Sequence, residues 1–132
     1  MEKVSFDFDS TLDREDVQEV AKRLVDKGFE VWITTSRVSD DTLKVRFLHT
    51  PPDWNKDLYE VADRLGIRRS QIKFTEFEDK INFLKDKNFL FHLDDDADEL
   101  IQIMNSKDSC KPINVDVWGW ENEINKIIKL WN

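Results

Sequence analysis

Acidic and hydroxyl side chains gather at three points of this chain, each at the end of an apolar segment. The groups are Asp7 with Asp9, Thr35 with Ser36, and the run Asp94–Asp96. Carboxylates that lie close together can bind a divalent cation or transfer protons. When apolar segments form parallel strands of an open sheet, ligands bind at the carboxyl ends of those strands. The spacing therefore predicts that the three groups converge on one crevice.

The elements that would position these groups are indicated by hydrophobic periodicity. The stretch 17–25 has apolar residues at the i, i+3, i+4 spacing of a buried helical face, with Asp13 as its predicted N-cap and Gly28 as its stop. Further helices are predicted over 56–65, 79–85, around 100–104 and over 120–131, and strands over 4–8, 30–35, 71–74, 88–93 and 113–117.

Five strands that alternate with five helices predict an α/β fold. The expected arrangement is three-layered and Rossmann-like, with helices on both faces of a parallel five-stranded sheet. The length of 132 residues suits one compact domain spanning 1–132. Within it, the segment 37–55 is long for a connection and mixes Pro51, Pro52 and Trp54 with charged residues. We expect a long loop or small lid there, although a surface excursion that only packs on the sheet fits equally well.

The composition narrows the classes of function. With 28 acidic and 20 basic residues the net charge is −8, which disfavours nonspecific nucleic-acid coating and membrane-surface binding, because both need a positive field. Cys110 is the only cysteine, so an intrachain disulfide and a cysteine-rich zinc site are excluded. A reducing compartment fits best. Neither a signal-like N-terminal segment nor an apolar stretch of ~20 residues is seen, and the expected location is the cytoplasm.

Four motifs in order resemble those of the haloacid dehalogenase (HAD)-like phosphohydrolase superfamily. The matching positions are Asp7, Asp9 and Thr11 in VSFDFDSTL, Thr35 in VWITTSR, Lys80 in FEDKINFL, and Asp94 with Asp95 in FHLDDD. Each motif is weak alone, but the ordered set, each at the expected end of its element, is specific. The resemblance covers nearly the whole chain.

The resemblance implies a phosphomonoesterase that uses Mg²⁺ and forms an aspartyl-phosphate. By this resemblance Asp7 is both nucleophile and metal ligand. Asp9 offers its backbone carbonyl to the metal, and its side chain acts as general acid and then as general base. Asp94 and Asp95 complete the metal site, although the neighbouring Asp96 leaves the register open by one residue. The physical logic agrees, because carboxylates alone would repel a phosphoryl group and a cation must lie between them.

The remaining site residues surround the phosphoryl oxygens. By resemblance, Lys80 supplies positive charge and Thr35 a hydrogen bond. Thr11, Ser36 and Arg37 are predicted to contact the substrate. His92 lies two residues before Asp94 on the predicted strand. We expect it to be a buried strand histidine with a local hydrogen bond and not a catalytic base.

The resemblance also bears on the substrate. One helix fills the residues between Asp9 and the second strand, and the segment 37–55 is a small lid at most, so no cap domain is expected. Capless relatives act on large substrates or close their site by oligomerising. The expected substrate is a phosphorylated small molecule or a phosphorylated macromolecule end, including a nucleotide or polynucleotide end. Trp54 could stack on a base, although a Trp that anchors the core is the commoner case.

Two other functions fit parts of the pattern. A HAD-like fold could serve as a binding or regulatory module without turnover, but the complete acid set disfavours that interpretation. A response-regulator receiver also combines acids, Thr and Lys on a parallel sheet of five strands. In a receiver the phosphate acceptor follows the third strand, where this chain has Phe74 and Thr75, so the order is wrong.

Overall fold

The computed structural model describes residues 1–129, which contain five strands and six α-helices. The strands are β1 (Lys3–Phe6), β2 (Glu30–Thr35), β3 (Ile72–Phe74), β4 (Phe89–Asp94) and β5 (Lys111–Asn114). The helices are α1 (Glu15–Asp26), α2 (Asp40–Arg46), α3 (Lys56–Leu65), α4 (Lys80–Leu84), α5 (Ala97–Ser106) and α6 (Trp120–Ile128).

The strands form one sheet in the order β3-β2-β1-β4-β5, and every neighbouring pair is parallel. The predicted α/β class with a parallel five-stranded, Rossmann-like sheet is therefore confirmed. From the central strand β1 the chain runs outward through β2 to β3, then crosses back to β4 on the other side of β1. The switch point of the topology thus lies between β1 and β4, which is where sheets of this kind bind ligands.

Different helices cover the two faces of the sheet. Val31 and Ile33 of β2 belong to a large apolar cluster shared with α1, α3 and α6. Trp32, between them, packs instead into a smaller cluster with Leu84 of α4 and Ile103 of α5. Because successive strand side chains point to opposite faces, these two clusters lie on opposite sides of the sheet.

A β-bulge interrupts the pairing of β1 with β4. Lys3 pairs with Phe89, but Ser5 pairs with His92, so β4 holds one extra residue between the two pairs. The extra residue reverses the side-chain alternation of the strand. Phe89 consequently packs in the α4 and α5 cluster, whereas Phe91 packs in the opposite one.

The local structure corrects several expectations at the start of the chain. β1 ends at Phe6, and Phe8 lies in a π-helical turn, Phe8–Leu12. Asp13 does not cap α1, which begins after Arg14. The Asp13 carboxylate instead accepts the backbone N–H of Ser10 at 3.1 Å. This hydrogen bond lies inside the π-helical turn and not at the start of α1.

Later segments differ as well. The segment 37–55 contains α2, which Ser39 caps by accepting the N–H of Thr42 at 3.3 Å. On α5 the buried residues are Leu100 and Ile103, while Ile101 and Met104 are exposed. Trp131 of the last predicted helix lies outside the described residues. In the described part of the chain no helix is both long and apolar enough to cross a bilayer.

Candidate functional site

The first part of the candidate site is the turn that follows β1. Asp7, whose exposure is only 5%, donates its backbone N–H to the carbonyl of Leu93 at 2.9 Å and so lies at the switch point. Ser10 adopts a φ of 60°, and the N–H of Leu12 returns to the Asp7 carbonyl at 3.1 Å. The turn folds the chain back until the Thr11 hydroxyl lies 3.4 Å from the Asp7 carboxylate.

Lys80, the first residue of α4, joins the ends of β1 and β4. Its side chain is 2% exposed, and its Nζ donates to Asp7 Oδ1 at 2.8 Å and to Asp94 Oδ2 at 2.7 Å. Its backbone N–H donates to the Glu99 carboxylate of α5 at 2.9 Å. The lysine is therefore fixed at both ends, with its charge buried between two acids.

The carboxylates of Asp7, Asp94 and Asp95 form one cluster. An oxygen from each lies within 4.8 Å of the others, and Asp95 Oδ1 is 3.5 Å from the Thr11 hydroxyl. With all three acids ionised and Lys80 protonated, the cluster carries a formal charge of −2 in a space with little solvent. An all-oxygen donor set with that charge suits a divalent cation, so these three side chains could hold a metal ion.

Asp96, the neighbour that left the register open, has a different role. Its Oδ1 accepts the N–H groups of Asp98 and Glu99 at 3.0 and 3.3 Å, which makes it the N-cap of α5. The geometry therefore groups Asp94 and Asp95 with Asp7 and assigns Asp96 to the helix.

The two most buried acids of the cluster differ in protonation. Burial and the negative charge of Asp94 raise the pKa of Asp7 to about 8, although Lys80 acts in the opposite direction. Burial would also raise the pKa of Asp94, but hydrogen bonds from His92 and Lys80 stabilise its ionised form and hold the pKa below its usual range. Asp94 is therefore the acid that stays ionised, whereas the raised pKa favours the protonated form of Asp7 at neutral pH in the absence of a cation.

Asp9 lies outside that cluster, in a separate ion pair. Its carboxylate, 56% exposed, accepts from Arg37 Nε at 2.9 Å and from Arg37 Nη2 at 2.7 Å. The same guanidinium donates to Asp57 at 2.7 and 3.0 Å and to the carbonyl of Trp54 at 3.0 Å, and lies 4.9 Å from the centre of the Phe8 ring. The side chain of Asp9 is thus bound by an arginine, and the role of its backbone carbonyl as a metal ligand stays a prediction.

Thr35 and Ser36 build the edge beside this ion pair. Thr35 is fully buried, and its hydroxyl accepts the backbone N–H of Arg37 at 3.2 Å, which orients the arginine. The carbonyls of Thr35 and Ser36 accept the N–H groups of Thr75 and Phe77 at 2.8 and 3.0 Å. In the described contacts, Thr35 takes part through its hydroxyl as well as its backbone, whereas Ser36 takes part through its backbone carbonyl.

Sequence reasoning missed several residues around the site. His92 is buried with a local hydrogen bond, as expected, but its partner Ser5 and the Thr34 that bonds to Ser5 were not anticipated. Single hydroxyl residues inside apolar strands were the signal that could have revealed them. Asp57, which binds Arg37, is an ordinary acid in the first turn of α3, and no sequence signal sets it apart.

No protein-family model, curated protein or solved structure matches this chain.

We predict that the cation-free protein becomes less stable, relative to Asp7→Asn, as the pH rises from about 5 to about 8. The pKa of Asp7 is about 8 in the folded protein, against 3.8 for an unperturbed aspartate, so between these values the folded state binds a proton that the unfolded state lacks. Its stability contribution is therefore lost as the pH rises. Urea unfolding of both proteins in the presence of a chelator measures this, and parallel pH profiles would contradict the raised pKa.

Proposed function

We propose that this protein is a Mg²⁺-dependent phosphomonoesterase of the HAD-like type, without a cap domain, that forms an aspartyl-phosphate on Asp7. The observation that carries the proposal is the buried bridge of Lys80 Nζ to Asp7 at 2.8 Å and to Asp94 at 2.7 Å. It lies at the switch point of a parallel sheet, where ligands bind. The order of the four sequence motifs supports the same conclusion.

Mg²⁺ fits the donor set because it is a hard cation that binds carboxylates and keeps several waters. Asp7, Asp94 and Asp95 would hold it through their clustered oxygens, with the Asp9 backbone carbonyl as the expected further ligand. When bound, the ion supplies the positive charge that offsets repulsion between these acids and a phosphoryl group.

The reaction is then divided between Asp7 and Asp9. A carboxylate oxygen of Asp7 attacks phosphorus, the ester P–O bond breaks, and the leaving oxygen takes a proton from Asp9. In the second step Asp9 accepts a proton from a water whose oxygen attacks phosphorus. The bond from Asp7 to phosphorus breaks, and inorganic phosphate leaves. Lys80 holds Asp7 in place for the attack, and Thr11 and Thr35 offer hydroxyl donors to the phosphoryl oxygens.

Arg37 connects substrate binding to this proton transfer. The guanidinium holds Asp9 through both carboxylate oxygens, so the carboxylate is engaged with the arginine and is not directed at a leaving group. For Asp9 to protonate the leaving group, this pair must open. The released guanidinium is then available for a phosphoryl oxygen, for which its planar donors are suited. We therefore propose that Arg37 releases Asp9 and binds the phosphoryl group of the substrate in its place.

We propose a nucleotide or a nucleic-acid end as the substrate, because of what surrounds Arg37. Trp54 accepts from Arg37 through its carbonyl, yet its side chain is 60% exposed, so it does not anchor the core. Its ring lies edge-on to Phe47, with centres 5.7 Å apart. Because Arg37 contacts both Asp9 and the backbone of Trp54, we propose that the leaving group lies on the side of this aromatic pair. A base stacked there would gain about 1–3 kcal/mol.

The nucleophile can be tested by substitution. Asp7→Asn should abolish Mg²⁺-dependent hydrolysis of p-nitrophenyl phosphate, with a loss of at least about 10³-fold, because an amide cannot form the acyl-phosphate. Asp96→Asn is the matched control, since Asp96 only caps α5 and Asn is an equally good cap; it should keep its activity. Wild-type-like turnover by Asp7→Asn would refute the mechanism, and no hydrolysis of any phosphomonoester by the wild type would favour the binding-module alternative.

The lysine bridge gives a second test. Lys80→Met keeps the length of the side chain but removes the buried charge that Asp7 and Asp94 share. We expect loss of activity together with a destabilisation of about 3–5 kcal/mol, typical of a broken buried ion pair, measured by urea unfolding. The exposed Lys85 at the end of α4 provides the control Lys85→Met, which should change neither quantity. Full activity in Lys80→Met would contradict the role of the lysine.

The aromatic pair gives a test of substrate class. Trp54→Ala should lower kcat/KM for nucleoside monophosphates by about 5- to 150-fold, the equivalent of one lost stacking interaction, and leave glycerol phosphate hydrolysis unchanged. Trp118, 95% exposed after β5, supplies the control Trp118→Ala. An equal effect of Trp54→Ala on both substrates would remove the case for a nucleotide.

A further inference from the structure

A continuous chain of hydrogen bonds runs through the interior from β2 to the acid cluster. Thr34 Oγ1 lies 2.7 Å from Ser5 Oγ, and Ser5 Oγ lies 2.8 Å from His92 Nδ1. His92 Nε2 lies 2.7 Å from Asp94 Oδ2. The side chains come from the adjacent strands β2, β1 and β4, and all four residues are fully buried. The mechanism described above uses only the last of them.

The chemistry of the groups fixes the direction of the donors. The ionised carboxylate of Asp94 can only accept, so His92 Nε2 carries the hydrogen. The imidazole is fully buried, and Lys80 already supplies the positive charge beside Asp94, so the ring is neutral and Nδ1 accepts from the Ser5 hydroxyl. The Ser5 oxygen in turn accepts from the hydroxyl of Thr34. Every hydrogen of the chain therefore points towards Asp94.

The two oxygens of Asp94 are consequently different. Oδ2 accepts from His92 and from Lys80, both at 2.7 Å, and these two donors occupy its two lone pairs. Oδ1 accepts only the backbone N–H of Asp96 at 3.0 Å among the contacts in the described part of the chain. One lone pair of Oδ1 is left for a further partner.

We propose that Ser5, Thr34 and His92 are positioning residues that select Oδ1 of Asp94 as its metal-binding oxygen. The inference rests on the cation of the proposed function and goes beyond it, because it assigns the ligand atom and the residues that fix it. A chain that orients a ligand through a second layer of hydrogen bonds typically contributes 10- to 100-fold in metal affinity.

A purely structural role is a less economical explanation. The same face of the sheet buries Leu84, Phe89 and Ile103, so apolar side chains can fill this layer. Three buried polar groups cost free energy unless each one is hydrogen-bonded, and a fully satisfied chain specifies one geometry. This chain of hydrogen bonds ends at the carboxylate of Asp94, which belongs to the acid cluster.

Two substitutions of His92 distinguish its hydrogen bond to Asp94 from its hydrogen bond to Ser5. The amide of glutamine can place an N–H near the position of Nε2, and the amide of asparagine near that of Nδ1. His92→Gln can therefore still donate to Asp94, whereas His92→Asn reaches Ser5 only. Both replace a ring by a smaller amide, so a role confined to packing predicts no advantage for glutamine in metal binding.

The readout is the affinity of the full chain for Mn²⁺ and Mg²⁺, measured by calorimetry without substrate after removal of metal. We expect His92→Asn to weaken binding by about 10- to 100-fold, with substantial rescue in His92→Gln. Equal affinities for the two variants would overturn the inference. If neither variant folds, Ser5→Ala decides, because it keeps His92 and removes the donor to Nδ1 together with the acceptor for Thr34: weaker Mn²⁺ binding by the folded variant supports the chain, and unchanged binding overturns it.

The same measurement keeps the inference separate from the proposed function. A protein that binds Mn²⁺ with this ranking but hydrolyses no phosphomonoester supports the inference and overturns the function. A wild-type protein that binds neither cation overturns the inference. Hydrolysis with equal affinities in both His92 variants leaves the function standing and removes the role of His92.

Discussion

The ammonium group of Lys80 is the interaction on which the site depends. Parallel pairing brings the ends of β1 and β4 together, and each end carries a buried acid, Asp7 and Asp94. Without a cation between them, two carboxylates this close would repel strongly in a medium of low dielectric constant. Lys80 supplies one charge from α4, and the acid of Glu99 on α5 holds its backbone. When all three acids are ionised the cluster keeps a charge of −2, a donor set that could hold a divalent ion.

Much of the fold could be predicted from local pattern. β2 and α3 have the predicted bounds, 30–35 and 56–65, because a β-branched run and an uninterrupted amphipathic stretch are both strong signals. The short helix α2 was missed because its seven residues show no repeating apolar face and bury only Leu43. Phe8 continues the apolar alternation of a strand, but the turn that returns Leu12 to Asp7 removes it from the sheet.

The candidate site could be predicted where it depends only on residue type and on the order of residues along the chain. It could not be predicted where it depends on the register between strands or on the point at which a helix begins. Asp7, Asp94, Asp95 and Lys80 stand at strand and helix ends, so their grouping follows from a parallel sheet. The pairing of Ser5 with His92 requires the register of two strands that are more than eighty residues apart in sequence. The difference between Asp95 and Asp96 likewise depends on where α5 begins. The exposure of Trp54 depends on how the segment after α2 folds, which no periodicity describes.

The bulge in β4 has a consequence for how sequence changes in this strand are tolerated. Phe89 must face one apolar layer and His92 must lie opposite Ser5, and the odd spacing of three residues meets both needs only with the extra residue in place. Deleting Leu90 would shorten the spacing to two residues, which a regular strand already places on one face, so both contacts would then be met without a bulge. The length of β4 and its bulge are therefore coupled. A homologue could lose one residue between the phenylalanine and the histidine together with the bulge and keep its chemistry, but a homologue that regularised the strand at its present length would turn the histidine away from its serine.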